Sequence, residues 1–277
     1  MKNFKRIAGL STLAVALALP LAANAHRSWI LPASTIHSSD DAWVTVDAAI
    51  SNDIFHTDYR PMRLDDISVL APDGSRIELQ NPHTGKYRSS FDLNLEQRGT
   101  YKIFTAAYGL SARWIDENGE RKSWPGRGAP ANQSDFATMV PANARDLEVT
   151  YSARRQETFV SSGEPSTTAI APTGKGLELE AITHPNDLFA GETAEFRFLM
   201  DGEPAAGTEI TVLAGGMRYR NQQDEILVVT DNDGIAQITW PAAGVYWLEA
   251  GYQDNRAVPP ATIRRGSYIA TFEVLPE

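Results

Sequence analysis

The chain has 277 residues, with 25 basic and 35 acidic side chains, a formal charge of −10 and no cysteine. The lack of cysteine excludes disulfides, thiolate metal centres and cysteine nucleophiles, leaving any bound metal to nitrogen and oxygen ligands. The acidic balance argues against nucleic acid or an anionic lipid surface as a partner, because both are held by clustered Lys and Arg.

The first element in chain order reads as a secretory signal over residues 1–25. Lys2, Lys5 and Arg6 precede an apolar run from Ile7 to Leu21, and Ala23-Asn24-Ala25 supply the small residues of a cleavage site. The run falls short of the ~20 residues that span a bilayer, and no later segment is a better candidate. The mature chain is therefore expected to start at His26, to work in the periplasm and to lack a membrane span. Cleavage takes three basic residues and no acidic one, moving the formal charge from −10 to −13.

Over residues 26–160, the runs "AWVTVDAAI", "DISVLAPDGSRIEL", "YRSSFDL", "TYKIFTAAY" and "DLEVTY" alternate apolar and polar side chains between turn signals, which predicts an N-terminal β-sandwich. Within it, residues 116–136 read as a long irregular loop, with Trp124 as an aromatic that could close over a site. Residues 161–176, rich in Ser, Thr, Pro and Gly, read as a linker. Residues 177–277 alternate again in "GLELEAI", "TAEFRFLM", "TEITVLA", "EILVVT", "IAQITW" and "GVYWLEAGY", predicting a second sandwich. In "GVYWLEAGY", Tyr246 and Leu248 fall on one face of a strand and Trp247 and Glu249 on the other, so these aromatics read as core. The expected fold class is all-β: two antiparallel Ig-like sandwiches joined by a short linker, with little helix.

The chemistry centres on His26. Once it is the first residue, its α-amine and imidazole Nδ1 can close a six-membered chelate ring on one ion. The amine titrates near ~8 and gives up its proton to a metal at little cost. A second histidine would complete a three-nitrogen set suited to tetragonal Cu(II) or Ni(II). His56 in "SNDIFHTDYRP" is the first choice, with Asp58 on the same side of an extended segment as ligand or imidazole acceptor. His184 in "AITHPNDLFAGE", with Asp187 three residues on, is the other. His37 and His83 read as ordinary turn residues. No His-Glu-x-x-His, Gly-x-Ser-x-Gly, Walker or dinucleotide motif is present, so no catalytic residues are expected.

Three stretches, "AHRSWILPAS", "GLELEAITHPNDLFAGETAEFRFLMDGEPAAGTEITVLAGG" and "TDNDGIAQITWPAAGVYWLEA", together resemble a bacterial periplasmic domain-of-unknown-function family whose members are often labelled nickel-uptake, NikM-like proteins. The second half also resembles transthyretin-like or carboxypeptidase-regulatory sandwiches, through "DGEPAAGTEITV" followed by "TDNDG". The family resemblance implies an exported protein that handles a divalent metal, nickel, copper or iron, or a complex of one. It also implies a transport protein of the inner or outer membrane as partner. The alternative is a structural or interaction module of the cell envelope, and a third reading is an N-terminal-histidine copper oxygenase.

Overall fold

The computed structural model describes residues 26–39, 41–126, 129 and 132–277, so the expected signal segment 1–25 lies outside the described residues. The chain is all-β, and its only α-helix among the described residues is a single turn, Phe136–Met139. No described helix is long and apolar enough to cross a membrane.

The first sheet is built from β1 (Arg27–Pro32), β2 (Ala42–Ser51), β4 (Gln80–Thr84) and β5 (Ser89–Leu95), in the order β1-β2-β5-β4. Period-two alternation explains why it has one apolar face. Val44, Val46, Phe91, Leu93 and Leu95 are buried while their neighbours Thr45, Asp92 and Asn94 face outward.

A ten-stranded sheet runs through the whole molecule. Its first half contains β3 (Ser68–Leu70), the long β6 (Gly99–Ile115) and the equally long β8 (Arg145–Ser162), with β7 (Arg121–Trp124) folded back on β6. Its second half contains β11 (Glu209–Ala214), β12 (Ile226–Val229), β14 (Gly244–Asp254) and β15 (Ile263–Val274). The order is β12-β11-β14-β15-β8-β6-β3, ending on residues 76–77. A third, smaller sheet holds β9 (Leu177–Ala181), β10 (Thr193–Met200) and β13 (Ile235–Thr239).

The halves on either side of residues 161–176 meet within one sheet, because β8 pairs with β15 in parallel from Thr150↔Ile263 to Thr158↔Thr271. Residues 161–176 themselves begin inside β8 and bury Ala169 and Ile170. Alternate side chains of β8 serve different cores. Phe159 packs with Phe196, Trp240 and Phe272 under the third sheet, whereas Val160 packs with Ile30, Val46 and Leu93 under the first. Tyr246 and Leu248 likewise enter the core beneath the third sheet. Trp247 points the other way, onto Trp29 and Ile54.

Part of the expected loop 116–136 is regular structure. Residues 121–124 form β7, and Trp124 is buried edge-on against Phe136 at 5.1 Å in a small core with Ala112, Val149 and Ala261. The tryptophan closes this extension of the long strands instead of covering the histidines.

Between the cores lies a buried charge cluster. Glu157 accepts from Arg155 at 3.0 Å and from the Tyr268 hydroxyl at 2.9 Å, and lies 3.9 Å from Lys102. Arg155 also meets Glu178 at 2.9 Å, and Glu178 accepts the backbone N–H groups of Thr173, Gly174 and Lys175. Burial pushes the Lys102 ammonium below its ordinary pKa, opposed by Glu157. Two cations and two carboxylates balance, which makes such burial tolerable.

Candidate functional site

The β1–β2 ladder runs as far as Arg27↔Ser51, so His26 lies one residue beyond it, beside the loop that follows Ser51. That loop is held from inside. Trp29 Nε1 donates to Ser51 Oγ at 2.7 Å, Ile54 is buried with Trp29 and Trp247, and Phe55 adopts a left-handed φ of 59°. Asp58 accepts from the Asn52 backbone N–H at 2.9 Å and from its side-chain amide at 3.2 Å, so both its oxygens clamp the loop shut. The His26 ring stacks on Tyr59 with centroids 3.7 Å apart.

A third segment comes from the second half of the chain. Gly216, at φ 75°, opens a 3₁₀ turn over Met217–Tyr219. Met217 anchors the turn in the core with Trp29 and Trp247, and Arg220 ties its start to the carbonyls of Ala214 and Gly215. From this turn Arg218 Nη1 reaches 2.8 Å from His56 Nε2. A guanidinium can only donate, so Nε2 is the acceptor and its lone pair faces Arg218. Nearby, Arg27 donates to Gln223 at 3.1 Å and its guanidinium lies 5.5 Å over the Trp247 ring. The three segments 26–27, 52–59 and 216–223 thus meet at one end of the molecule.

Of the expected site residues, His26, His56 and Asp58 lie on the segments that meet here, each on a partner of its own: Tyr59, Arg218 and Asn52. His184 and Asp187 do not join them. His184 Nδ1 accepts the Asn186 N–H at 3.1 Å, and Nε2 lies 3.1 Å from the Ser166 carbonyl and 3.2 Å from Thr100 Oγ1. Since a carbonyl only accepts, Nε2 carries the proton, and both ring nitrogens of the neutral imidazole are used. Thr100 bonds Ser161, and Ser161 N–H bonds Thr35. His184 therefore sits at the Thr35 end of the first hairpin, with the whole of β1 between it and His26. Asp187 is exposed beside it. Among the described residues, no group of three or more His, Asp or Glu side chains is placed to hold one ion. The partners that sequence reasoning missed are Tyr59, Arg218 and Gln223.

Burial pushes the His184 pKa below its ordinary value, against the opposing Ser166 and Asp187. Below pH ~6.5 the unfolded chain then binds a proton that the folded chain refuses, so acid favours unfolding. Urea denaturation should show a lower midpoint at pH 5.5 than at pH 7.5, and His184→Gln should flatten that difference. An unchanged slope in the variant would mean that His184 is not the titrating group.

A search among curated proteins returns no match. Similar solved structures include the human OSCAR ligand-binding domain, at 10% identity over 90% of this chain and 100% of that chain, with a TM-score of 0.19. An Escherichia coli alpha-2-macroglobulin activated by porcine elastase matches at 10% identity over 91% of this chain and 20% of its own, TM-score 0.22. The D0-D1 domain of intimin matches at 10% identity over 88% and 97%, TM-score 0.20. Superpositions this loose add nothing to the fold assignment, which rests on the sheets themselves. The family model described as Domain of unknown function (DUF4198) matches residues 23–254, and the chain belongs to that family.

Proposed function

We propose that the protein captures a divalent transition metal, nickel, copper or iron, or a small complex of one, at a processed N-terminus in the periplasm. It would then pass that cargo to a membrane transport protein, acting as a binding protein and not as an enzyme. One observation carries the reading: the β1–β2 register brings His26 alongside the loop bearing His56, whose Nε2 lone pair is turned outward onto a single arginine. A metal would take the His26 amine and Nδ1, and His56 Nε2 on displacing Arg218. Asp58 would keep its role of holding the loop. The cysteine-free ligand set, the signal-like leader and the resemblance to nickel-uptake proteins point the same way.

The second reading, a non-catalytic module of the cell envelope, is favoured by the Arg218–His56 bond, which in that case is simply a clasp between the two halves.

Calorimetric titration of the chain beginning at His26 with Ni(II), Cu(II), Zn(II) and Fe(II) separates the two. Metal capture predicts tight binding of at least one ion, loss of about tenfold or more in His56→Ala, and several-fold tighter binding in Arg218→Ala, which removes the competing donor. Lack of binding by every ion, or equal binding by all three proteins, would leave the module reading.

A further inference from the structure

The ten-stranded sheet ends on β12, and the exposed edge of that strand points to a docking strand. Among the described residues β12 pairs with β11 alone, in the register Glu209↔Val229 to Val212↔Ile226. Thr230, just past its end, turns both its N–H and its carbonyl toward residues 207 and 208. Antiparallel alternation then directs the backbone groups of Ile226 and Val228 at β11 and those of Leu227 and Val229 at the free edge. The side chains follow the same division. Ile226 and Val228 pack on the large core, while Leu227 and Val229 are 70% and 63% exposed. Each of these outer residues thus offers an open N–H and carbonyl together with an apolar side chain.

Edge strands usually carry a device against unwanted pairing. At the far end of this sheet residues 76–77 form only two pairs and carry Arg76, and the outer strand of the first sheet, β4, contains Pro82 and an irregular register. Within β12 there is no proline, no charge and no bulge.

Charge decides what fits. Asp224 and Glu225 precede the strand, Asp231 and Asp233 follow it, and Glu209 stands opposite Val229; all five are exposed. If a second copy paired antiparallel about Val228, Leu227 would face its Val229 but Glu225 would face its Asp231; paired about Leu227, its Asp224 would face Thr230, one position from Asp231. Like charges directly opposite are unfavourable, and the formal charge of −10 adds repulsion between whole molecules. A strand with apolar side chains at alternate positions and Lys or Arg at its ends meets no such penalty.

We propose that β12 accepts an extended segment of this kind from a partner protein, as an eleventh strand of the sheet, by main-chain pairing. The proposal stands apart from metal capture. The loop leading into β12 nevertheless carries Arg218 and Gln223, so a docked strand would lie next to the His26 end.

Two synthetic peptides test it, each with an alternating Thr-Val core, one flanked by Lys-Lys at both ends and the other by Glu-Glu. The Lys-flanked peptide should bind the full chain and weaken with salt, while the Glu-flanked one should not bind. Val229→Pro removes an N–H at the free edge without breaking a bond to β11, and Leu227→Lys places a like charge at a solvent-facing position. Each should weaken the Lys-flanked peptide about tenfold or more while circular dichroism stays unchanged. If Val229→Pro misfolds, Leu227→Lys alone decides. No binding below about 1 mM, or equal binding by wild type and Leu227→Lys, overturns the proposal. A concentration-dependent dimer abolished by Leu227→Lys would overturn it too, by giving the edge to a second copy.

Discussion

Acetylation of the His26 α-amine in the processed chain is expected to weaken Ni(II) or Cu(II) binding by about a hundredfold or more, ~2.7 kcal/mol. Only a terminal histidine offers an α-amine and Nδ1 to the same ion. Once acetylated, that nitrogen is an amide with no neighbouring amine to anchor a metal, so it keeps its proton and coordinates poorly at neutral pH. The fold should not notice the change, because His26 is exposed and the β1 ladder begins at Arg27. Calorimetry on the two proteins, with thermal melts as a control, provides the measurement. Equal affinities would mean that the terminal amine is not a ligand, and would remove the main reason for assigning metal capture to this end of the molecule.

Replacing Glu157 by Ala is expected to cost about 3–5 kcal/mol, a large part of the ~5–15 kcal/mol that holds a typical domain together. Glu157 is the shared acceptor of Arg155 and Tyr268 and the carboxylate nearest to Lys102, all buried. Its loss leaves the cluster with two cations against Glu178 alone. Lys102, already pushed toward its neutral form by burial, is the weaker of the two claims on a charge. Adding Lys102→Met should therefore recover about half of the loss or more, since Arg155 and Glu178 remain a balanced pair. Urea denaturation of the single and double variants reads both effects. A loss below about 1 kcal/mol in Glu157→Ala would mean that water or a rearranged side chain relieves the cluster.

Much of the fold is legible from alternation. The strand "GVYWLEAGY" divides its aromatics between two faces in the sequence as it does in the structure, with Tyr246 in one core and Trp247 in another. Alternation identifies strands but not their partners. Nothing in "TYSARRQET" announces that it pairs in parallel with "IRRGSYIAT", which is why the shared sheet is invisible in the sequence. Composition also reads poorly where polar residues are strapped in place. Thr173 to Lys175 look like flexible chain but supply the backbone donors for buried Glu178.

The candidate site is legible to a similar degree. The proximity of His26 and the His56 loop follows from a strand start and a strand end that a hairpin brings together. Arg218 lies 162 residues from His56, in "GGMRYRNQ", where no spacing marks it. His184 has the residue type of a ligand. Its burial and its three partners are properties of the tertiary fold, and they give it a structural role at the Thr100–Ser161 contact.

The parallel pairing of β8 with β15 also sets an order of events. Residues 150–158 leave the ribosome long before residues 263–271, their partners across a gap of 113 positions. Until residues 263–271 join it, residues 150–158 have no neighbour on one edge and Phe159 has no Phe272 to pack on. Contacts this distant in sequence slow folding, and a nascent chain halted before residue 263 would carry an open strand through its middle.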